Sequence, residues 1–514
     1  MKKKWTGILL VVVLLIMGFL VSCGSDGAGG ISGDNVLVYV QMSDPVTLDP
    51  HGSNDSVTAS AINQMFDRLV DYGEGGEIVP MLAESFEEID ETTWEFVLRQ
   101  GIEFHDGTPF NAEAVKKSFD RLLDPELASP RAFLFEMLEE VVVIDDYTVH
   151  FIVEFPFAPF PAHVAHNAGA IIAPSAILEE ENGGLSISEN PIGTGPFVYY
   201  SWDRGTELVM VRNENYWKQT VYLDGLRFVA IPEIATRDAM LETGEAHVAM
   251  LDMATANQVL EVEAIKEDRI ASVSVDYIGF NTKFAPFDDV RVRQAISLAI
   301  DKEDIIRAVI YGQGIPAITT ISPSVQGSPG HIDGLGHDIL MARELLEEAG
   351  FADGFSATIV SIEGNAIRNL ILQLVQANLR EIGVDLNIQL VELGAFLEET
   401  ANGEHDMFIM SWTTVTGDAD YGLHPLFHSE NAGEAGNRTF YVNEEVDDLL
   451  DAARREVNQE VRNELYAQAL QIIAMEAPVI PLYHRDFVFG LNGVESGFRQ
   501  DFSGTPFFYG VRLE

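Results

Sequence analysis

Alternating apolar and polar residues form several short runs in the first part of the chain, and this period is typical of half-buried strands. The runs are Val36 to Val40, Trp94 to Leu98 and Val149 to Phe155. Residues 60–69 have a helix-like composition. The proline-rich stretch from Phe155 to Pro161 cannot continue a central strand, so it predicts a sheet edge or a loop.

From residue 338 onward, helical and strand patterns alternate, which predicts a parallel sheet with right-handed crossovers. The predicted elements are a helix ending at Gly350, a strand over 357–362, a helix over 366–382, a strand over 384–390, a short helix, an apolar strand over 407–410, and helices over 446–457 and 461–475. A final apolar tail is expected to rejoin the first domain. The fold class is therefore α/β.

A glycine- and proline-rich corner begins at Pro191 and leads to the aromatic pair at Tyr216 and Trp217. Gly193 and Gly195 tolerate positive φ, and the flanking prolines have φ fixed near −65°. We interpret this corner as a point where the chain crosses between domains.

The N-terminus has the pattern of an export signal. Three lysines precede an apolar run from Ile8 to Leu20, which is shorter than the ~18–20 residues of a membrane-spanning helix. Residues 1–22 are the predicted signal peptide. Cys23 is the only cysteine, and Leu-Val-Ser-Cys resembles the processing site of bacterial lipoproteins, where the cysteine is acylated. Residues 23–33 would then form a flexible tether that holds the protein at the outer face of the membrane or in the periplasm.

Composition excludes some partners. Acidic residues number 81 against 31 basic ones, for a net charge of −50, and they are interspersed along the chain. Phosphate groups of nucleic acids and of anionic lipids would be repelled, so nucleic acid is not an expected partner. The chain is too long for one core, and two or three domains are expected.

Several segments of the sequence resemble motifs of the large solute-binding proteins of ABC importers, which bind peptides, nickel complexes and related solutes. They are Thr47 to Pro50, Phe104 to Phe110, Pro191 to Trp217 and Arg291 to Asp301. The resemblance implies a periplasmic-binding-protein-like fold with two hinged α/β lobes and an inserted third domain. It assigns 34–52, 190–283 and 488–514 to lobe I, 53–189 to the inserted domain II and 284–487 to lobe III. It also implies a monomer that closes on a peptide-like solute and delivers it to the permease subunits.

Within this family, the loop after the 407–410 strand forms the pocket. Trp412 offers an apolar wall, while Thr414, Asp418 and Asp420 offer acceptors for an amine. Dipeptide-binding members hold the α-amino group with an aspartate three residues after this tryptophan, where this chain has Val415. The loop is more similar to those of glutathione and peptide binders.

Other candidate contacts lie elsewhere in the sequence. Arg368 resembles the family position that binds a peptide carboxylate, and Asn54 is a candidate contact from the opposite lobe. His424 and His428 follow the pocket loop, but capping or packing is the interpretation adopted, so no metal or cofactor is predicted.

An enzyme is the alternative class. The sequence contains no nucleophile elbow, zinc-protease helix or phosphate-binding loop motif, and its single cysteine is assigned to lipidation. We therefore expect a binding protein. A secreted peptide hydrolase, a nickel-complex binder of the same family and a non-transport sensor or adhesin stay open as alternatives.

Overall fold

The computed structural model describes residues 35–53, 55–73, 76–433 and 436–514. The predicted signal peptide, Cys23, the tether and Asn54 lie outside the described residues. Among the described helices, none combines the length and the apolar character needed to cross a membrane.

The first part of the chain contains a separate antiparallel sheet of four strands, in the order β4-β5-β7-β6. The elements up to residue 190 are β1 (Val36–Gln41), α1 (Ser56–Met65), β2 (Val70–Tyr72), β3 (Ile78–Pro80), β4 (Ala83–Asp90), β5 (Thr93–Leu98), α2 (Ala112–Leu122), β6 (Leu138–Asp145), β7 (Thr148–Val153), α3 (Phe160–Ala165) and α4 (Pro174–Glu181). The inward residues of β5 and β7 pack edge to face, with the Phe96 and Phe151 ring centroids 5.1 Å apart.

Two predictions in this part are corrected. The first helix begins at Ser56, four residues early, because the Asp55 carboxylate accepts the Thr58 N–H at 2.8 Å and caps it. The predicted edge or loop at 155–161 is confirmed as a loop over 155–159, but its last two residues begin α3, which Pro161 does not break because it lies in the first turn.

The remaining elements include ten strands that join β1 in one sheet of eleven strands, and helices that pack on this sheet. They are β8 (Phe197–Asp203), β9 (Glu207–Arg212), β10 (Gly225–Ala230), α5 (Ile234–Thr243), β11 (Val248–Met250), α6 (Ala256–Val259), β12 (Ile265–Phe280), α7 (Val290–Ala299), α8 (Lys302–Ala308), β13 (Gly314–Pro316), α9 (Ile339–Glu348), β14 (Phe355–Ile362), α10 (Ala366–Glu381), β15 (Val384–Val391), α11 (Leu393–Asn402), β16 (Met407–Thr413), α12 (Ala419–Phe427), α13 (Glu444–Arg455), α14 (Gln459–Glu476), β17 (Val479–Asn492), β18 (Val494–Ser496), β19 (Arg499–Gln500), β20 (Pro506–Phe507) and β21 (Arg512–Leu513); the last four belong to small two-stranded sheets.

The large sheet runs in the order β15-β14-β16-β12-β17-β11-β1-β10-β9-β8, and β13 pairs with β17. The predicted parallel pairing holds for β14 with β15 and with β16. The sheet as a whole is mixed, however, because β12 and β17 are antiparallel to each other and β12 is antiparallel to β16. The prediction of parallel strands from the helix–strand alternation is therefore confirmed for β14, β15 and β16, and the antiparallel strands β12 and β17 lie outside the segment that showed this alternation.

Strands β12 and β17 join the two lobes. One half of the β12–β17 pair lies beside β11, and the other half lies beside β16. The register of the pair shifts between Ala271 and Val275 and again between Asp276 and Tyr277. A bulge bends and twists a strand locally, so these shifts mark the place where the two lobes meet. The domain boundaries remain predictions. Strand β17 spans the predicted boundary between lobe III and lobe I at residues 487 and 488.

In the corner that begins at Pro191, the two glycines are required by close packing and not by the predicted positive φ. Neither Gly193 nor Gly195 adopts positive φ. A Cβ atom added to Gly193 would lie 2.2 Å from the Met65 carbonyl oxygen, and one added to Gly195 would lie 2.5 Å from the Met65 carbonyl carbon. Close packing against the end of α1 therefore demands glycine at both positions.

Candidate functional site

A cavity of about 310 Å³ lies where the crossing strands meet both lobes and the inserted domain. Its lining comes from the start of α1 and the end of β2, from the inserted domain, from β12, β16 and β17, and from the loop between β19 and β20. The lining residues are Asp55, Ser56, Ala59, Tyr72, Arg131, His166, Asn167, Val273, Ser274, Thr413, Val415, Arg485, Phe487, Asp501, Phe502, Ser503 and Thr505.

A larger concavity of about 740 Å³ lies within the inserted domain alone, between α2, α4 and β6. Movement between the lobes would leave it unchanged, because neither lobe contributes to its lining. We therefore assign the functional site to the smaller cavity.

Two arginines give the cavity a cationic side. Arg485 belongs to β17, and its guanidinium carbon lies 5.5 Å from the centre of the Phe487 ring. Its Nε is buried and has no hydrogen-bond partner among the described residues. Arg131 comes from the inserted domain, where its Nε donates to the Ser53 carbonyl at 3.4 Å and burial lowers its pKa. The buried Nε–H of Arg485, which has no partner among the described residues, is a ready donor to a carboxylate.

An aspartate lies on the same cavity wall. Burial raises the pKa of Asp501. Its Oδ1 accepts the N–H groups of Ser503 at 2.9 Å and Thr505 at 3.1 Å, which fixes the loop between β19 and β20. Within the described part of the chain, no hydrogen bond engages its Oδ2. That oxygen can accept from an ammonium group.

Tyr72 connects separate parts of the site. Its hydroxyl lies 3.0 Å from the Ala162 carbonyl oxygen of the inserted domain and 3.0 Å from the Thr416 carbonyl oxygen of the loop after β16. Its ring packs edge to face on Phe502 at 4.5 Å. The cavity therefore lies beside contacts that hold three regions of the molecule together.

Trp412 and Thr414 lie next to the cavity, while Thr413 and Val415 line it. Strand β16 continues to Thr413 because that residue pairs with Ser274 of β12, so Trp412 is in a strand and not in the predicted loop. Its indole N–H donates to the Tyr421 carbonyl at 2.9 Å, and its ring packs on the Tyr421 ring at 5.5 Å. Thr414 is fully buried, and its hydroxyl oxygen has no partner among the described residues.

Asp418 and Asp420 do not line the cavity; both are buried and ion-paired with arginines. Asp418 caps α12 and pairs with Arg462 at 2.5 Å. Asp420 accepts from Arg454 at 2.9 and 3.2 Å. Burial by itself raises the pKa of Asp420, but the charge and hydrogen bonds of Arg454 outweigh it and lower that pKa. Each of these carboxylates therefore already has a cationic partner within the protein.

Arg368 lies at the start of α10 and also stays outside the cavity lining. Its Nη2 donates to the Ser411 hydroxyl at 2.7 Å, and this hydroxyl donates to Asp276 at 2.9 Å. Asn54 is not described, but its neighbour Asp55 lines the cavity.

Sequence reasoning missed Arg131, Arg485 and Asp501. Arg368 was selected from its resemblance to a family position, and no such resemblance marked the two arginines of the cavity. No sequence motif marks Asp501, because only the folding of the C-terminal tail against the crossing strands brings it to the cavity.

Comparisons with known proteins agree with this architecture. The profile of the bacterial extracellular solute-binding proteins, family 5 Middle, matches residues 77–434. The glutathione-binding protein GsiB of Salmonella typhimurium is 33% identical over 461 residues, which cover 87% of this chain and 88% of that protein. The structure of HbpA2 from Haemophilus parasuis superposes with a TM-score of 0.88 at 30% identity, covering 93% of this chain and 100% of the other. A dipeptide-binding protein from Pseudoalteromonas in complex with Met-Leu gives a TM-score of 0.74 at 27% identity, covering 93% and 100%.

Proposed function

Because the chain belongs to the family 5 solute-binding proteins of ABC transporters, we propose that it captures a small zwitterionic peptide of the dipeptide or glutathione class. The names of similar proteins support this class of solute, since they include a glutathione-binding protein and a dipeptide-binding protein. The proposed site is the cavity between the lobes.

The charges of the cavity support a zwitterion. Arg131 and Arg485 are suited to carboxylates, and Asp501 is suited to an ammonium group. A volume of about 310 Å³ is at the lower end of the range for ligand pockets, which favours a peptide of two or three residues over a long one. Val415, at the position of the amine-binding aspartate in dipeptide binders, supports a different amine anchor, and we propose Asp501 for it.

The crossing strands support binding by lobe closure. The register shifts of β12 and β17 lie next to Val273 and Ser274, which line the cavity. A solute that contacts both lobes favours the closed state only by binding it more tightly than the open one. We propose that the closed protein delivers its solute unchanged to the permease.

The proposed location follows from the N-terminal pattern. We propose that the protein is exported as a monomer, loses residues 1–22 and is held at the membrane by a lipid on Cys23. Trp412, Thr414, Arg368 and Asn54 are carried forward as proposed contacts for parts of a solute that extend beyond the cavity.

The observation that carries the proposal is the Arg485 guanidinium, which faces the cavity with a buried Nε that has no partner among the described residues. Calorimetric titration with glutathione, Met-Leu, a blocked dipeptide amide and a free amino acid tests it. We expect 1:1 binding of a free-carboxylate peptide and at least tenfold weaker binding of the amide. Equal binding of acid and amide would contradict the carboxylate site.

Two further measurements test closure and release. Small-angle scattering should show that the protein has a smaller radius of gyration with the peptide bound than without it. Mass spectrometry should recover that peptide intact after prolonged incubation, and hydrolysed product would favour the peptide-hydrolase alternative. The same method applied to freshly purified protein would identify a solute that copurifies.

A further inference from the structure

Two histidines lie together at the C-terminal end of α12, away from the cavity. His424 is in the last turn of the helix and His428 is its C-cap, so the i, i+4 spacing places both on one face. Their rings are stacked, with centroids 4.4 Å apart and planes inclined by 15°. Both face Asp451 of the neighbouring helix α13.

The facing nitrogens are buried and unmatched. His424 is 3% exposed and His428 is 8% exposed, and neither Nε2 has a hydrogen-bond partner among the described residues. The two Nε2 atoms lie 3.8 and 3.5 Å from Asp451 Oδ1. Glu430 adds a second carboxylate, with its Oε1 3.4 Å from His424 Nε2.

We propose that His424, His428 and Asp451 form a binding site for one divalent transition-metal ion such as Zn²⁺, Ni²⁺ or Co²⁺. The ligand atoms of these three residues all lie within 4.8 Å of one another. A tetrahedral ion with bonds of about 2.0–2.1 Å separates its ligand atoms by about 3.3 Å. Contraction by a few tenths of an ångström would bring the two Nε2–Oδ1 separations to that value.

The donor set matches this class of ion. Two imidazole nitrogens with one or two carboxylate oxygens suit zinc and nickel, whereas Mg²⁺ and Ca²⁺ prefer oxygen ligands alone. Asp451 and Glu430 are about half exposed, so an ion can enter from solvent. The net charge of −50 attracts cations to the surface.

The Nδ1 atoms of the two histidines limit the affinity of the site for a metal ion. Without a metal, His424 Nδ1 lies 3.1 Å from the Asn431 amide nitrogen, and His428 Nδ1 accepts the Glu430 N–H at 3.3 Å. These contacts favour a proton on Nε2 of each ring. Metal binding shifts that proton to Nδ1 and weakens both contacts, so moderate affinity is expected.

The ion would tie α12 to α13. These helices are already joined by the ion pair between Asp420 and Arg454, and α12 follows the loop that contacts Tyr72. We therefore expect metal to raise the thermal stability of lobe III. This site is independent of the proposed solute, because none of its three ligands lines the cavity.

Calorimetry of the tag-free mature protein with ZnCl₂ or NiCl₂, without peptide, tests the site. We expect one equivalent per chain to bind with moderate affinity, more tightly than any further ions, and the melting temperature to rise. His424→Gln and His428→Gln should each weaken binding at least tenfold, and Asp451→Asn should weaken it less. With Co²⁺, the wild type should show the visible absorption of a tetrahedral site.

His331→Gln is the matched control, because His331 also pairs with a carboxylate, Asp333 at 3.2 Å, but is 81% exposed. It should bind metal like the wild type. Circular dichroism without metal checks that each variant folds. If a variant of a buried histidine does not fold, the half-exposed Asp451→Asn variant still tests the site. The site is refuted if weak binding of many ions is the same in all variants, or if the single strongest equivalent survives unchanged in His428→Gln and Asp451→Asn.

Discussion

The acidic residues of the loop after β16 and the aspartate of the cavity differ in how their charges are satisfied. Asp418 and Asp420 each have an arginine partner and lie outside the cavity. Asp501 lines the cavity, binds its own loop through one oxygen and has no described partner for the other. Carboxylates in the loop after β16 therefore stabilise the fold, while the carboxylate that lines the cavity comes from another part of the sequence.

The largest expected effect is on stability. Asp418→Asn leaves Arg462 as an uncompensated buried charge, since their side chains are only 1% and 4% exposed. Breaking a buried pair costs about 3–5 kcal/mol. We expect a clearly lower denaturation midpoint, with peptide affinity unchanged in the protein that remains folded.

Asp120→Asn is the control for that prediction, because Asp120 pairs with Lys116 on the surface and is 53% exposed. It should cost less than about 1 kcal/mol. Equal effects of the two variants would show that burial does not determine how much the Asp418–Arg462 ion pair contributes to the free energy of unfolding. Loss of affinity without loss of stability would restore Asp418 as a solute contact.

The second-largest expected effect is on the affinity for peptides with a free carboxylate. Arg485→Gln removes the charge that faces the cavity, and a hydrogen bond between charged partners is worth about 2 kcal/mol, or about 30-fold in affinity. Calorimetry should show this loss for free-acid peptides and a smaller one for amides. Arg512→Gln, whose guanidinium lies over the exposed side of Tyr222 outside the cavity, should bind like the wild type. An equal loss for acid and amide would remove Arg485 from carboxylate binding.

Asp501→Asn should weaken binding of peptides with a free amine by about tenfold, because it removes one charged hydrogen bond. In the wild type, the raised pKa of Asp501 means that its carboxylate is protonated at a higher pH than an exposed aspartate. Affinity for the amine should therefore fall as pH decreases through that raised value.

The Asn variant should lack this pH dependence, and titrations between pH 7 and pH 4 would measure it. Asp145→Asn is the control, since Asp145 also accepts a turn N–H, from Tyr147 at 2.8 Å, but lies outside the cavity. N-acetylated peptides should bind the wild type and Asp501→Asn alike. A pH profile that persists in Asp501→Asn would contradict its role as the amine partner.

The smallest expected effect is that of Trp412→Ala. Because the indole packs on Tyr421 and only its neighbours line the cavity, affinity should fall by about 1 kcal/mol. Trp202→Ala, which removes an indole that donates to Asp44 and does not line the cavity, provides the comparison. Unchanged affinity would exclude Trp412 from the solute site, and a loss as large as that of Arg485→Gln would place its ring against the solute.

Helix α10 illustrates what local patterns determine. Its predicted range of 366–382 differs from Ala366–Glu381 by one residue, because side chains three and four apart select the buried face within the helix itself. The end of β16 was wrong by three residues, since pairing with β12, about 140 positions earlier in the chain, decides where it stops. The ion pair of Asp418 could not be predicted for a similar reason, because its partner Arg462 is 44 residues away and comes close through the packing of α14.

The sequence alone determined the α/β class, most helices and strands of lobe III and the resemblance to solute-binding proteins, because these depend on local periodicity and on short contiguous motifs. The tertiary structure alone decided which charges face the cavity. Arg131 lies more than 350 residues before Arg485 and Asp501 in the sequence, and whether a charge is satisfied depends on neighbours that only folding brings within hydrogen-bond distance.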